Sequence, residues 1–273
     1  MTGRPYVVLS CAMSLDGCLD GTGEDRLVLS GQADLDRVDA ERAAADAILV
    51  GAGTIRRDDP RLLVRSPRRQ AARSARGRPP QPAGVTITAS GDLDPAARFF
   101  RGGGEGAPGE DGAGAGRVAD LGAGKGADLE AALPPQRIVY AASPALPKLR
   151  DQIGALAEVV DAGDPPRLPQ ILADLGRRGV RRLMVEGGAR LGTQLLAGGM
   201  VDELQLAIAP FFVGEAAAPR FAGPGEYPAG PAHPLHLAEA RPVGEMVLLR
   251  YLAAAPAGPG GPPGPPQQAA ARG

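Results

Sequence analysis

The run Asp46-Ala47-Ile48-Leu49-Val50-Gly51 constrains this chain more than any other segment. Four consecutive apolar residues between an acid and a glycine suit a strand buried on both faces. Such strands belong to parallel sheets with helices on either side. A second run, Val180 to Glu186, reads the same way. It ends in Gly187-Gly188 and passes into a helical stretch, Ala189 to Ala197.

The rest of the chain fits that scheme. Pro5 to Met13 reads as the first strand. Ser30 is placed to N-cap a helix reaching Ala45, with Leu35, Val38 and Ala45 on its inward face at helical spacing. Further strands are predicted at 85–88, 138–140 and 157–160, and helices at 144–153 and 168–178. Residues 56–83 are Arg-rich and read as irregular. After Val201 strands follow one another without a helix: Leu204, Leu206 and Ile208 alternate, then Met246 to Leu252. The expected fold is α/β, a three-layer αβα arrangement around a mostly parallel sheet with antiparallel C-terminal edge strands.

Composition matters at one point. The chain has 40 Gly and 28 Pro in 273 residues, close to the ~25–30% at which low-complexity disorder sets in. The excess is local. Residues 101–126 hold 11 Gly, and residues 253–273 hold 5 Gly and 6 Pro. One domain over 1–252, with a disordered insertion at 101–126 and a disordered tail at 253–273, is therefore expected.

Several function classes are disfavoured. The net charge of −1 gives no global pull toward nucleic acid or membranes. Nine Arg fall between Arg56 and Arg78, but no aromatic residue interleaves them to stack bases. No apolar run approaches the ~18–20 residues of a membrane span. Two Cys and two His provide neither a disulfide framework nor a zinc deaminase signature, so no metal site is expected. Val8-Leu9-Ser10-Cys11 looks weakly like a lipoprotein cleavage site, but the apolar stretch before it is too short for a signal h-region. A buried strand and a cytoplasmic location are expected instead.

Three features can carry chemistry. Glu186-Gly187-Gly188-Ala189-Arg190-Leu191 joins a buried strand to a helix. Ligands bind outside the carboxyl ends of such strands, and free N–H groups of the helix start favour anions. A tight turn alone explains the glycines equally well. Gly51-Ala52-Gly53-Thr54, followed by Asp58, offers close backbone approach and hydrogen-bonding groups, or an ordinary polar loop. Arg42 shares the face of Leu35 and Val38, so it wants a phosphate or an internal carboxylate.

Taken in order, Ala12-Met13-Ser14-Leu15-Asp16-Gly17, Asp46 to Thr54, Asp58-Asp59-Pro60-Arg61-Leu62, Val185-Glu186-Gly187-Gly188, Val201-Asp202-Glu203-Leu204 and Ala209-Pro210-Phe211-Phe212-Val213-Gly214 resemble the reductase domain of riboflavin biosynthesis, the RibD C-terminal family. The likeness spans roughly residues 4–252. It implies a dihydrofolate-reductase-like fold and NADPH as hydride donor. It implies as substrate a pyrimidine ribosylamino 5′-phosphate, whose ribosyl group becomes ribityl. Homodimers are common in that family. By the same resemblance Met13, Thr54, Asp58, Ser90 and the segment Gly187, Gly188, Ala189, Arg190, Leu191 face the cofactor. Asp25, Arg42, Arg61, Leu62 and Glu186 face the substrate, and Glu186 is the candidate proton donor. Two places depart from the family pattern. Asp25-Arg26-Leu27 stands where Ser-Arg-Trp is usual, and Ala89-Ser90 stands for Asp-Ser. A reductase of the same fold for another heterocycle is the alternative those departures suggest.

Overall fold

A computed structural model describes residues 3–23, 26–101 and 135–253. Nine strands form one sheet: β1 (Tyr6–Met13), β2 (Ala47–Gly51), β3 (Ala83–Thr88), β4 (Arg137–Ala141), β5 (Glu158–Asp161), β6 (Arg182–Glu186), β7 (Glu203–Ile208), β8 (His236–Val243) and β9 (Met246–Leu252). Six helices flank it: α1 (Gln32–Ala44), α2 (Ala52–Asp58), α3 (Pro67–Ser74), α4 (Leu146–Ile153), α5 (Leu168–Arg177) and α6 (Ala189–Ala197). The strand order is β5-β4-β3-β2-β6-β1-β7-β9-β8. Neighbours from β5 to β7 run parallel, and β9 and β8 are added antiparallel. This is the three-layer α/β class with an antiparallel C-terminal edge that the sequence implied.

Strand β2 shows why the apolar run was informative. Ala47 and Leu49 enter one core with Val7, Leu9, Leu183 and Val185, covered by Ile171, Leu172 and Leu175 of α5 and Leu191 and Leu195 of α6. Ile48 and Val50 enter the opposite core with Met184, Val139, Ile55, Leu149 and Ile153. Alternate side chains point to opposite faces, so a strand covered on both sides is apolar throughout.

Two expectations about residues 30–83 need correction. The fully buried residues of α1 are Asp34, Arg37 and Asp39; of the three expected inward residues, Ala45 just past the helix is buried, Val38 is partly buried against the same core and Leu35 is only partly buried. A polar helix face is buried because the sheet beneath it is also polar: Arg37 donates to Asp34 Oδ1 at 2.6 Å and to Gln205 Oε1 of β7 at 2.8 Å. Ser30 does not cap α1. Gly31 is the N-cap, and the Ser30 hydroxyl donates to Asp34 instead.

The Arg-rich stretch is not irregular throughout, since it holds α2 and α3. Its arginines are largely scaffold. Arg73 donates to the carbonyls of Ala43 and Ala45, and Arg78 to Ala45 and to Asp46 Oδ1. These satisfy carbonyls that the end of α1 leaves without helical partners. Arg69 bridges Asp36 and Asp39 on α1. Strand β8 was not predicted. Apart from Arg101 and Ala253, the expected insertion at 101–126 and tail at 253–273 lie outside the described residues. Among the described residues no helix is long and apolar enough to cross a membrane.

Candidate active site

The carboxyl ends of β1, β2, β3 and β6 open into one cleft of about 2190 Å³. Typical small-molecule sites are ~300–1,000 Å³, so this cleft has room for two ligands side by side. Nine arginines and five carboxylates line it, which favours anionic guests.

One half is built at the end of β6. Gly187 (φ 59°) and Gly188 (φ 83°) are in the left-handed region, and Gly188 is the N-cap of α6. A Cβ on Gly188 would lie 3.3 Å from Thr54 Oγ1, and one on Gly187 3.5 Å from Thr54 Cγ2. The glycines thus let the β6–α6 turn close against α2. The first turn of α6 lies at the cleft, with Ala189, Arg190 and Leu191 on its wall. A phosphate-bearing nucleotide fits this arrangement, with charge at the helix start and bare backbone beneath. Gly51 and Gly53 differ: nothing lies within 4 Å of an added Cβ, so no close approach requires them in the unliganded chain. Ser90 lies past β3 on the cleft wall, as does Asp58 at the end of α2. Burial raises the Asp58 pKa, with neighbouring Asp20 adding to the effect and Arg26 and Arg57 opposing it.

The other half lies between α1 and β6. Arg42 donates from Nε to Glu186 Oε1 and from Nη2 to Oε2, both at 2.7 Å, and from Nη1 to the Leu63 carbonyl at 3.1 Å. The internal carboxylate it meets is that of Glu186 at the end of β6. Both Glu186 oxygens accept from the Arg42 guanidinium, and each keeps a lone pair for a ligand. Leu35, Val38 and Arg42 all line the cleft, Val38 while also packing against the core around Ile48 and Val50.

Leu62 is buried at φ 54° and also faces the cleft. Arg61 lines the cleft with no side-chain partner among the described residues, whereas Arg57 pairs with Asp20 at 2.9 Å.

Met13 is not on the cleft wall. It packs against the α5–α6 core, while Ser10, Cys11 and Ala12 line the cleft. Burial pushes the Cys11 thiol up to about 12, with Glu186 adding to the shift. Asp25 lies outside the described residues; its neighbours Arg26 and Leu27 are on the wall. The loop after β1 is held by Asp16, which accepts from Ser14 Oγ, Val213 N and Gly214 N. Those bonds keep its pKa well below the usual carboxylate range. Ser10 and Arg37 were missed as cleft residues. Their only signal was a lone polar residue in an apolar strand and an Asp-x-x-Arg spacing on α1.

The sequence matches the RibD C-terminal domain family over residues 5–107 and 132–249. The chain belongs to that family. A 2,5-diamino-6-ribosylamino-4(3H)-pyrimidinone 5′-phosphate reductase of Archaeoglobus fulgidus is 33% identical over 214 residues, covering 77% of this chain and 83% of that protein. A pyrimidine reductase-like protein from Corynebacterium diphtheriae shares the fold with a TM-score of 0.68 at 23% identity, covering 91% of each chain. RibD of Acinetobacter baumannii superposes with a TM-score of 0.65 at 23% identity and covers 92% of this chain. This chain spans 58% of the length of that RibD.

Proposed function

We infer that this RibD-family reductase domain, residues 1–252, uses NADPH to reduce a pyrimidine ribosylamino 5′-phosphate of the 2,5-diamino-pyrimidinone type. The single cleft carries the reading: a glycine-lined helix start suited to a dinucleotide opens directly into a polar pocket around Arg42 and Glu186. The 33% identity to the A. fulgidus reductase supports the substrate class.

In this reading Gly187 to Leu191, Thr54, Asp58 and Ser90 hold NADPH, which supplies hydride when bound. Bound NADPH would supply hydride to C1′ of the open-chain imine, and a solvent-derived proton would go to the imine nitrogen, leaving a ribityl chain. Glu186 accepts from the heterocycle and Arg42 orients Glu186. Arg61 takes the substrate phosphate, because its guanidinium has no partner among the described residues. The protein works as a cytoplasmic homodimer, with exposed Phe212 a candidate contact.

The test is NADPH oxidation by the purified protein given the diamino- or amino-pyrimidinone ribosylamino phosphate. Turnover is expected with the diamino form. Glu186→Gln should raise substrate KM more than NADPH Kd. NADPH binding without turnover of either pyrimidine would overturn the substrate assignment.

A further inference from the structure

Arg137 opens β4 and is 4% exposed, yet its hydrogen-bond partners among the described residues are all carbonyls. A buried cation without a counter-charge is costly. Burial pushes its pKa down to about 10, so the guanidinium stays charged at neutral pH. Its Nε donates to the Phe99 carbonyl, Nη1 to Gln136 at 3.4 Å and Nη2 to Arg61 at 3.3 Å. Its Cζ lies 5.1 Å from the centroid of the buried Phe99 ring. Gly84 of β3, its partner in register, makes room for it. A Cβ on Gly84 would lie 2.7 Å from Arg137 Nη1 and 3.0 Å from its Cδ.

The bond to Arg61 reaches the cleft wall from behind. Arg137 itself does not line the cleft, whereas Asp59, Pro60, Arg61 and Leu62 do. That short loop is strained. Asp59 (φ 41°) and Leu62 (φ 54°) are both non-glycine residues in the left-handed region. Such backbone persists only where its surroundings hold it. Here Arg98 N donates to Asp59 Oδ1 at 2.6 Å, Leu62 is buried in the same core as Phe99, and Arg137 ties down the carbonyl between them.

We propose that Arg137 is a positioning residue for the substrate phosphate: by fixing the Arg61 carbonyl from behind the cleft wall, it sets where the Arg61 guanidinium meets that phosphate. Arg61 has a long, rotatable side chain. Holding its backbone root in one place reduces the ordering that binding must otherwise impose. The cation at position 137 thus acts on the ligand only through the loop, and its charge is held back from the cleft. The proposal rests on the reductase reading above, with Arg61 at the phosphate, and adds the group that makes this contact selective.

The test is the phosphate preference: kcat/KM for the diamino-pyrimidinone ribosylamino 5′-phosphate divided by kcat/KM for the same compound without its phosphate. Arg61→Ala removes a charge-assisted contact and should lower the preference roughly ten- to hundredfold. Arg137→Lys keeps the cation but offers one compact ammonium in place of the fork-shaped guanidinium. It should lower the preference roughly three- to tenfold. Gly84→Ala displaces the guanidinium without removing it and should act in the same direction. Adding Arg137→Lys to Arg61→Ala should bring no further loss, and NADPH Kd should be unchanged throughout. A wild-type preference in Arg137→Lys overturns the proposal; should that variant not fold, Gly84→Ala decides in its place. An equal fall in kcat/KM for both compounds marks a packing role and also overturns it. So does a loss that persists in full when Arg61 is already Ala. An unchanged preference in Arg61→Ala overturns the Arg61 assignment, and a wild type that turns over neither compound overturns the reductase reading itself; Arg137's role falls with either.

Discussion

Replacing Arg42 by Met keeps the aliphatic stem but removes the charge, and the structure sets the size of the effect. Arg42 and Glu186 side chains are 17% and 16% exposed, and they meet through two bonds of 2.7 Å. An exposed pair contributes about 0–1 kcal/mol. Removing one partner of a fully buried pair costs about 3–5 kcal/mol, mainly because a charge is stranded. This pair lies nearer the buried limit, so Arg42→Met should cost about 2–3 kcal/mol, including the lost bond to the Leu63 carbonyl. Glu186→Gln in the same background removes the stranded charge. The double variant should then be hardly worse than Arg42→Met alone, giving a coupling of about 2 kcal/mol. Urea unfolding of the four proteins in a double-mutant cycle measures it. A coupling below about 0.5 kcal/mol would mean that solvent screens the pair as it does a surface pair, and the orientation of Glu186 by Arg42 would be refuted.

Two further outcomes follow from the same geometry. Gly188→Val places a branched side chain at φ 83° against Thr54. Strain of about 1–3 kcal/mol and displacement of Thr54 should weaken NADPH binding by more than about tenfold; fluorescence titration with unchanged affinity would contradict the cofactor placement. For Glu203, burial works to raise the pKa, but bonds from Gln205 and Arg250 and the charge of Arg182 overcome it and leave it lowered. Its stabilising contribution is therefore present above the unfolded value of about 4.3 and is lost as pH falls through the folded one. Glu203→Gln should flatten the acid side of the stability-versus-pH curve from urea melts, and an unchanged slope there would show the network to be inert.

How legible was all this in the sequence? Runs with a local signature were readable. Asp46 to Gly51 announced a strand covered twice, and the strand-Gly-Gly-helix junction at 186–189 was visible because φ above zero and a helix start are local demands. Strand β8 was not readable. Seven of its eight residues are not buried, and Pro242 sits within it, as an edge position allows, so neither alternation nor an apolar run marks it. Helices α2 and α3 were hidden for a similar reason. α3 is anchored by Arg69 and Arg73, which donate to the acids and the end of α1, and the seven residues of α2 bury only Ala52 and Ile55, too few to mark an apolar stripe.

What the sequence by itself determined was the class of the fold, its parallel core, its antiparallel edge and the glycine turn beside Glu186. Which face of α1 meets the sheet was decided by tertiary structure. Helical periodicity groups Leu35, Val38 and Arg42 on one side, but it does not say whether that side meets core or cleft. The answer depends on β6 inserting between β2 and β1, which sets Glu186 beside Ser10 and opposite an arginine 144 residues away. Pairing across that separation leaves no periodic trace in the chain, because only the closed sheet brings the partners together.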